Sequence, residues 1–223
     1  MKSLLSISLA LLALFSTSSL HAAVSLQFDD VSTFGGTLAY GGAGGVDPLI
    51  GTDIVFDQVT GVGTVPSGPL EILGGKLNFV TGPNVSEGAV VYTFGPGGTF
   101  TLTGTVIRPD LSVVASGVLL AGTFDSISVV LGLGGGLGLF SGVGTDTKNP
   151  DLLAYYGLAL TDFRFANTEI GFSALGLEPD GGFVADVQNA DLTNVPIPEP
   201  STLWGGLMLA VLPGLGWIWN HRR

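Results

Sequence analysis

The chain has 223 residues, of which 46% are hydrophobic, only 11% are charged and 36 are glycine, with a formal net charge of -11. That length allows one domain or two once targeting segments are set aside, and the apolar content excludes a disordered chain. Eighteen acids against four basic residues between Asp29 and Glu199 leave the central portion at -14, which repels nucleic acid and anionic headgroups.

Residues 1–23 read as a secretory signal peptide. Lys2 supplies the positive start, Leu4 to Phe15 the short apolar stretch, and Ala22 or Ala23 the small residue before a cut. From Val24 onward the pattern is strand-like: short apolar runs or alternation, bounded by Gly and Pro. The expected strands are Val24 to Phe28, Gly35 to Tyr40, Asp53 to Val62, Leu70 to Leu73, Lys76 to Val80, Ala89 to Phe94 and Thr99 to Ile107. Gly74-Gly75 between two apolar runs predicts a tight hairpin turn, because both positions then need positive φ. In the strand from Thr99, the threonines 99, 101, 103 and 105 share one face, and Phe100 and Leu102 take the other.

Further strands are expected at Gly117 to Phe124, Ser126 to Leu131, Asp162 to Ala166, Glu169 to Leu175 and Gly182 to Val187. The glycine-leucine run 132–138 has no clear assignment. Asn149 and Pro150 suit the cap and first position of one short helical turn through Tyr156. Strand signals every 8 to 15 residues predict a single all-β domain over 24–190, a β-sandwich or jelly-roll-like fold. Residues 191–197 read as a linker.

The central portion holds no Cys, His or Trp, since His21, His221, Trp204, Trp217 and Trp219 all lie near the ends. Disulfides and thiolate chemistry are therefore excluded, and no catalytic residue is assigned. Asp146, Asn149 and Asp151 sit in one expected loop and offer oxygen ligands of the kind calcium takes. Their spacing departs from the EF-hand pattern, Lys148 lies among them, and turn chemistry is the commoner role for such residues. Asp29-Asp30 and Asp125 are further oxygen donors, with nothing in the sequence to place them nearby. Pairs of carboxylates suited to glycoside hydrolysis arise by chance among eighteen acids. The threonine row of one strand gives only one row of an ice-binding face.

The last stretch carries more information. Pro198-Glu199-Pro200-Ser201-Thr202 precedes an uncharged apolar run from Leu203 to Trp219, closed by Asn220-His221-Arg222-Arg223. About 17 helical residues give roughly 25 Å, near the lower limit for crossing a bilayer. The arginines mark the cytoplasmic side, so the central domain is expected outside. Prolines at 196, 198 and 200 favour an extended segment before the span.

This tail resembles the PEP-CTERM sorting signal of Gram-negative bacteria. Pro198, Glu199 and Pro200, a single span and the terminal Arg222 and Arg223 match it. Pro213 within the span and His221 before the arginines are small departures. The resemblance covers about 28 residues and says nothing of the central domain. It implies a precursor exported by its signal peptide, held in the inner membrane by its tail, and cut near the Pro-Glu-Pro by an exosortase. It also implies a mature form at the cell surface or outside it, associated with exopolysaccharide and biofilm matrix. The expected function is thus that of an exported structural or interaction protein, not an enzyme, with exosortase and signal peptidase as processing partners and no nucleic acid. The alternative is a carbohydrate- or calcium-binding surface module. A glycosidase-like enzyme and an ice-binding protein rank below it.

Overall fold

The computed structural model describes residues 24–42, 46–88, 91–130, 138–158, 166–175 and 182–196. The expected signal peptide, the strand at 162–166 except for its last residue, and the Pro-Glu-Pro tail lie outside these residues. Ten strands and one short helix follow in order: β1 (Ser25–Asp29), β2 (Thr37–Tyr40), β3 (Pro48–Val62), β4 (Gly68–Glu87), β5 (Val91–Phe94), β6 (Gly98–Ile107), β7 (Val113–Val130), β8 (Gly138–Lys148), α1 (Pro150–Tyr155), β9 (Ala166–Leu175) and β10 (Phe183–Pro196). The domain is all-β, as its composition and strand spacing predict.

All strand pairs are antiparallel, and the pairing closes on itself. β3 pairs with β4, β4 with β6, and the ladder continues through β7, β8, β9 and β10 to β1, which returns to β3. β1 and β2 share one position in this ring: both run antiparallel to β3, β1 against its end and β2 against its start. β5 and β6 divide another position between β4 and β7 in the same way. The result is an eight-position meander in chain order. A jelly roll instead requires Greek-key connections.

Alternation sorts the side chains. Phe100 and Leu102 are buried, as expected, while Thr99 and Thr103 stand exposed on the other face. Aromatic rings fill the interior. Tyr40 meets Phe94 at 5.4 Å and Tyr92 at 5.6 Å, and Phe124 meets Phe79 at 5.5 Å and Phe100 at 4.8 Å between ring centroids. The interior is apolar, while Thr99, Thr103, Asn78, Lys76 and Glu71 face outward beside exposed apolar residues such as Leu73, Val80 and Val143.

Several expectations are corrected. Gly74-Gly75 is not a hairpin turn but a bulge inside the single twenty-residue β4, where the register to both β3 and β6 slips. Gly74 has φ 60°, and a Cβ at Gly75 would collide with the carbonyl of Phe56. The glycines therefore let a long strand bend rather than reverse. Opposite this bulge the alternation of β3 also slips. Ile54 and Phe56 point inward, but so does Val59, three residues beyond Phe56. The two strands expected either side of Asp125 are one bent strand, β7, with a register shift at that residue.

β8 is the strand that the sequence hid. Its inward positions are Gly138, Phe140, Gly142, Gly144, Asp146 and Lys148. Three glycines and an ion pair on the core face do not look like an apolar strand. A Cβ at Gly144 would meet the Thr123 carbonyl, and one at Gly142 would press on Ile127. Asp191 to Pro196, expected as a linker, is the second half of β10, where it pairs with β1 on one side and β9 on the other.

The helix falls where expected. Asn149 caps it, accepting from the Asp151 amide at 2.9 Å, and Pro150 opens it. Leu152, Leu153 and Tyr156 are buried beneath it, and the Tyr156 hydroxyl donates to the carbonyls of Val59 (3.0 Å) and Gly68 (3.2 Å). α1 thereby packs at one end of the ring, beside the β3–β4 turn and the start of β7.

Candidate functional site

The three residues expected as weak calcium ligands have separate positions and roles. Asp146 is an inward residue of β8, not a loop residue. Its carboxylate accepts from Lys148 Nζ at 2.5 Å, and both side chains are fully buried. The pairing is local: residues two apart on a strand share a face. Space for it comes from Gly122 across the ladder, where a Cβ would meet the Asp146 side chain and Phe100. Burial pushes the Lys148 ammonium below its ordinary pKa, and the neighbouring Asp146 partly restores it. Asn149 spends its oxygen on the helix cap and its amide on the Val118 carbonyl at 3.0 Å. Asp151 is exposed in the first turn of α1. The structure brings Asp146 to Lys148 rather than to Asn149 and Asp151, and among the described residues no group of three or more acids and histidines is disposed around a metal position.

A second group of acids is assembled by the ring closure. Asp29 at the end of β1 lies directly opposite Asp191 of β10, and Gln58 of β3 flanks its other side. Asp30 follows, accepting from Asn189 Nδ2 at 3.0 Å. Its Oδ2 is buried with no hydrogen-bond partner among the described residues. Asp57, at the point where β3 slips, faces the excursion between β1 and β2. It accepts the amides of Val31, Ser32 and Thr33 at 2.8 Å each, and the hydroxyls of Ser32 at 2.5 Å and Thr33 at 3.0 Å.

These carboxyls are pulled in opposite directions. Asp29 is pushed up to about 6, first by burial, then by the charge of Asp191 and its hydrogen bond, then by Asp30 and Asp57. Asp30 also rises to about 6, again chiefly by burial, against a backbone donor from Ala190. Burial would raise Asp57 too, but the donors from Ser32, Val31 and Thr33 outweigh it and bring it down to about 2. The two ion pairs among the described residues, Lys76–Asp53 and Lys148–Asp146, lie elsewhere. The sequence points to Asp29 and Asp30 as donors of unknown neighbourhood. Asp57 and Asp191 escape notice because their meeting depends on the closure of the ring.

The threonine row lies on the outer face. Its neighbours extend it across strands: Thr99 stands opposite Thr123, and Thr123 opposite Thr145, with their hydroxyl oxygens 3.4 Å apart. Thr105 likewise meets Ser116 at 2.9 Å. A shallow open depression of about 360 Å³ beside the row is lined by Ile50, Thr52, Asn78, Phe79, Thr99 and Thr101. The sorting residues Pro198, Glu199, Pro200, Arg222 and Arg223 lie outside the described residues. Among the described residues the last pair of β10, Pro196 against Ala166, stands two positions before Pro198. Comparison with protein-family models, curated proteins and solved structures finds no match for the chain.

Proposed function

We propose that the chain is an exported structural or interaction protein of the cell surface or extracellular matrix, sorted by its C-terminal tail. The observation that carries this reading is the pattern Pro198-Glu199-Pro200, apolar run, Arg222-Arg223, joined to an N-terminal signal-like segment. On this reading signal peptidase and an exosortase act on the chain, the inner membrane holds the precursor, and exopolysaccharide is its matrix partner. The domain is a scaffold, and no residue in it is assigned to catalysis. The packed aromatic interior supports a scaffold, as does the employment of Asp146 and Asn149 in an ion pair and a helix cap. We also read the ring as flattened into two facing layers, with Tyr40–Phe94, from β2 and β5, as a contact across the core.

The test is intact mass of the protein recovered separately from membrane and culture medium, with and without the host exosortase gene. The expected product begins near Val24 and ends near Pro198 only when the exosortase is present. A product that keeps Arg222 and Arg223 in both strains would sink the sorting reading and leave a simple tail anchor.

A further inference from the structure

The ring has two poles, and everything that leads out of the domain toward the tail belongs to one of them. Ser25 pairs with Val62, the end of β3, and Pro196 pairs with Ala166, the start of β9. The start and the end of the domain therefore leave together, beside the β3–β4 turn at 63–67, the β6–β7 turn at 108–112, and α1. From Pro196 to Leu203, where the apolar run begins, only six residues intervene. Fully extended they reach about 20 Å. If 203–219 crosses a bilayer, this pole is held within that distance of its surface.

The same pole displays apolar side chains in fixed positions. Val65 is 86% exposed and Leu111 74%. Leu111 is held outward at a cost, since its φ of 66° is one that side-chain-bearing residues rarely adopt. Its turn is closed by the Leu111 amide to the Arg108 carbonyl (2.9 Å), the Arg108 amide to the Ser112 carbonyl (3.0 Å), and the Asp110 carboxylate accepting both the amide and the hydroxyl of Ser112. Arg108 lies over the ring of Tyr155 at 5.1 Å, linking this turn to α1. Gly157, just past α1, abuts the Val65 carbonyl. Val65, α1, Arg108 and Leu111 thus form one continuous rim. Tyr and Arg side chains favour the headgroup layer, and isolated Val and Leu side chains can enter its apolar boundary. Asp110 is offset by Arg108, but the excess of acids over the domain, Asp151 on this pole among them, disfavours an anionic surface and leaves a zwitterionic one as the lipid class.

We propose that this pole is a membrane-facing surface, and that Val65 and Leu111 contact the zwitterionic bilayer in which the protein's own tail is anchored. The proposal rests on the reading of 203–219 as a membrane span and adds an orientation to it: the turns at the opposite pole, including Val46, face away from the membrane.

The chain supplies its own reporters, because it has no cysteine and all three tryptophans lie in the tail. The full chain is placed in phosphatidylcholine nanodiscs containing nitroxide lipids, as Val65→Cys, Leu111→Cys and, at the other pole, Val46→Cys, each carrying a polarity-sensitive fluorophore. The expected result is quenching of tryptophan and of the labels at 65 and 111, with the label at 46 unchanged from lipid without nitroxide. Quenched tryptophan with labels at 65 and 111 behaving like that at 46 would overturn the membrane-facing pole and leave the tail span intact. Unquenched tryptophan would overturn both.

Discussion

Asp146 on β8 and Asp29 on β1 are both drawn into the fold by strand pairing, yet their surroundings are opposite. Asp146 is sealed in the core with Lys148 two residues away, so a whole charge pair is buried together. Asp29 is half-buried at a seam where Asp30, Asp57 and Asp191 converge, with no lysine or arginine paired to them among the described residues. One region resolves burial by pairing unlike charges, the other by retaining protons and recruiting backbone donors. The comparison teaches that a low-charge domain can hold carboxylates inside in two ways, and that the two respond differently to mutation and to acid.

The largest expected effect comes from breaking the core pair on one side. Lys148→Met removes the cation from beside the buried Asp146 carboxylate, and urea unfolding should show a loss of about 3–5 kcal/mol. Replacing both, as Asp146→Leu with Lys148→Met, should cost less than the single change. A double variant as unstable as the single one would mean that the pair matters through its hydrogen bonds to the surrounding core.

The next effect belongs to the seam. Asp57→Ala removes the acceptor for three amides and two hydroxyls, with an expected cost of about 2–3 kcal/mol. Amide exchange at residues 31–33 should quicken at the same time. Unchanged exchange there would show that the excursion is held by something other than Asp57.

Acid should separate the regions further. Asp29 and Asp30 bind protons more tightly folded than unfolded, so stability falls as pH rises from about 4 through about 6. Asp57 does the reverse: its contribution is present above about 4 and is lost as pH falls toward about 2. A maximum of thermal stability near pH 4 is therefore expected. The gain over pH 7 is on the order of 1–2 kcal/mol after allowing for solvent screening of half-exposed groups. Asp29→Asn should flatten the limb between 4 and 6. A profile that rises steadily to pH 7 in the natural chain would contradict the raised carboxyls. Smallest of all, Asn149→Ala should cost about 1 kcal/mol through loss of the helix cap, without altering the pH profile.

Much of the fold is legible in the residues. Thr99 to Thr105 alternating with Phe100 and Leu102 predicts both the strand and its buried face, and Asn149-Pro150 predicts the helix start. What stays hidden has a common physical cause: glycine is read as punctuation, but here it often serves the core face. Gly74 and Gly75 bend β4 instead of ending it, and Gly142 and Gly144 give β8 the close approach that concealed it as a strand. Asp146 was hidden with it, since an acid among glycines resembles a loop. The seam of Asp29, Asp57 and Asp191 cannot be read locally, because its members come from β1, β3 and β10 and meet only through ring closure. Asp191 to Pro196 resembles a linker because its composition is polar, while its place between β1 and β9 is set by partners elsewhere in the chain.

The register of Leu26 against Asn194 sets a timetable for the molecule as well as a shape. The first strand waits for the last, so the ring cannot close until nearly the whole domain has been made and delivered. Contacts of such long sequence separation form slowly, and until they form both strands expose open edges. A chain that emerges through a membrane from its N-terminus would hold β1 against β3 while its β10-facing edge stays open throughout the passage. Its assembly is complete only when β10, the stretch next to the tail, arrives.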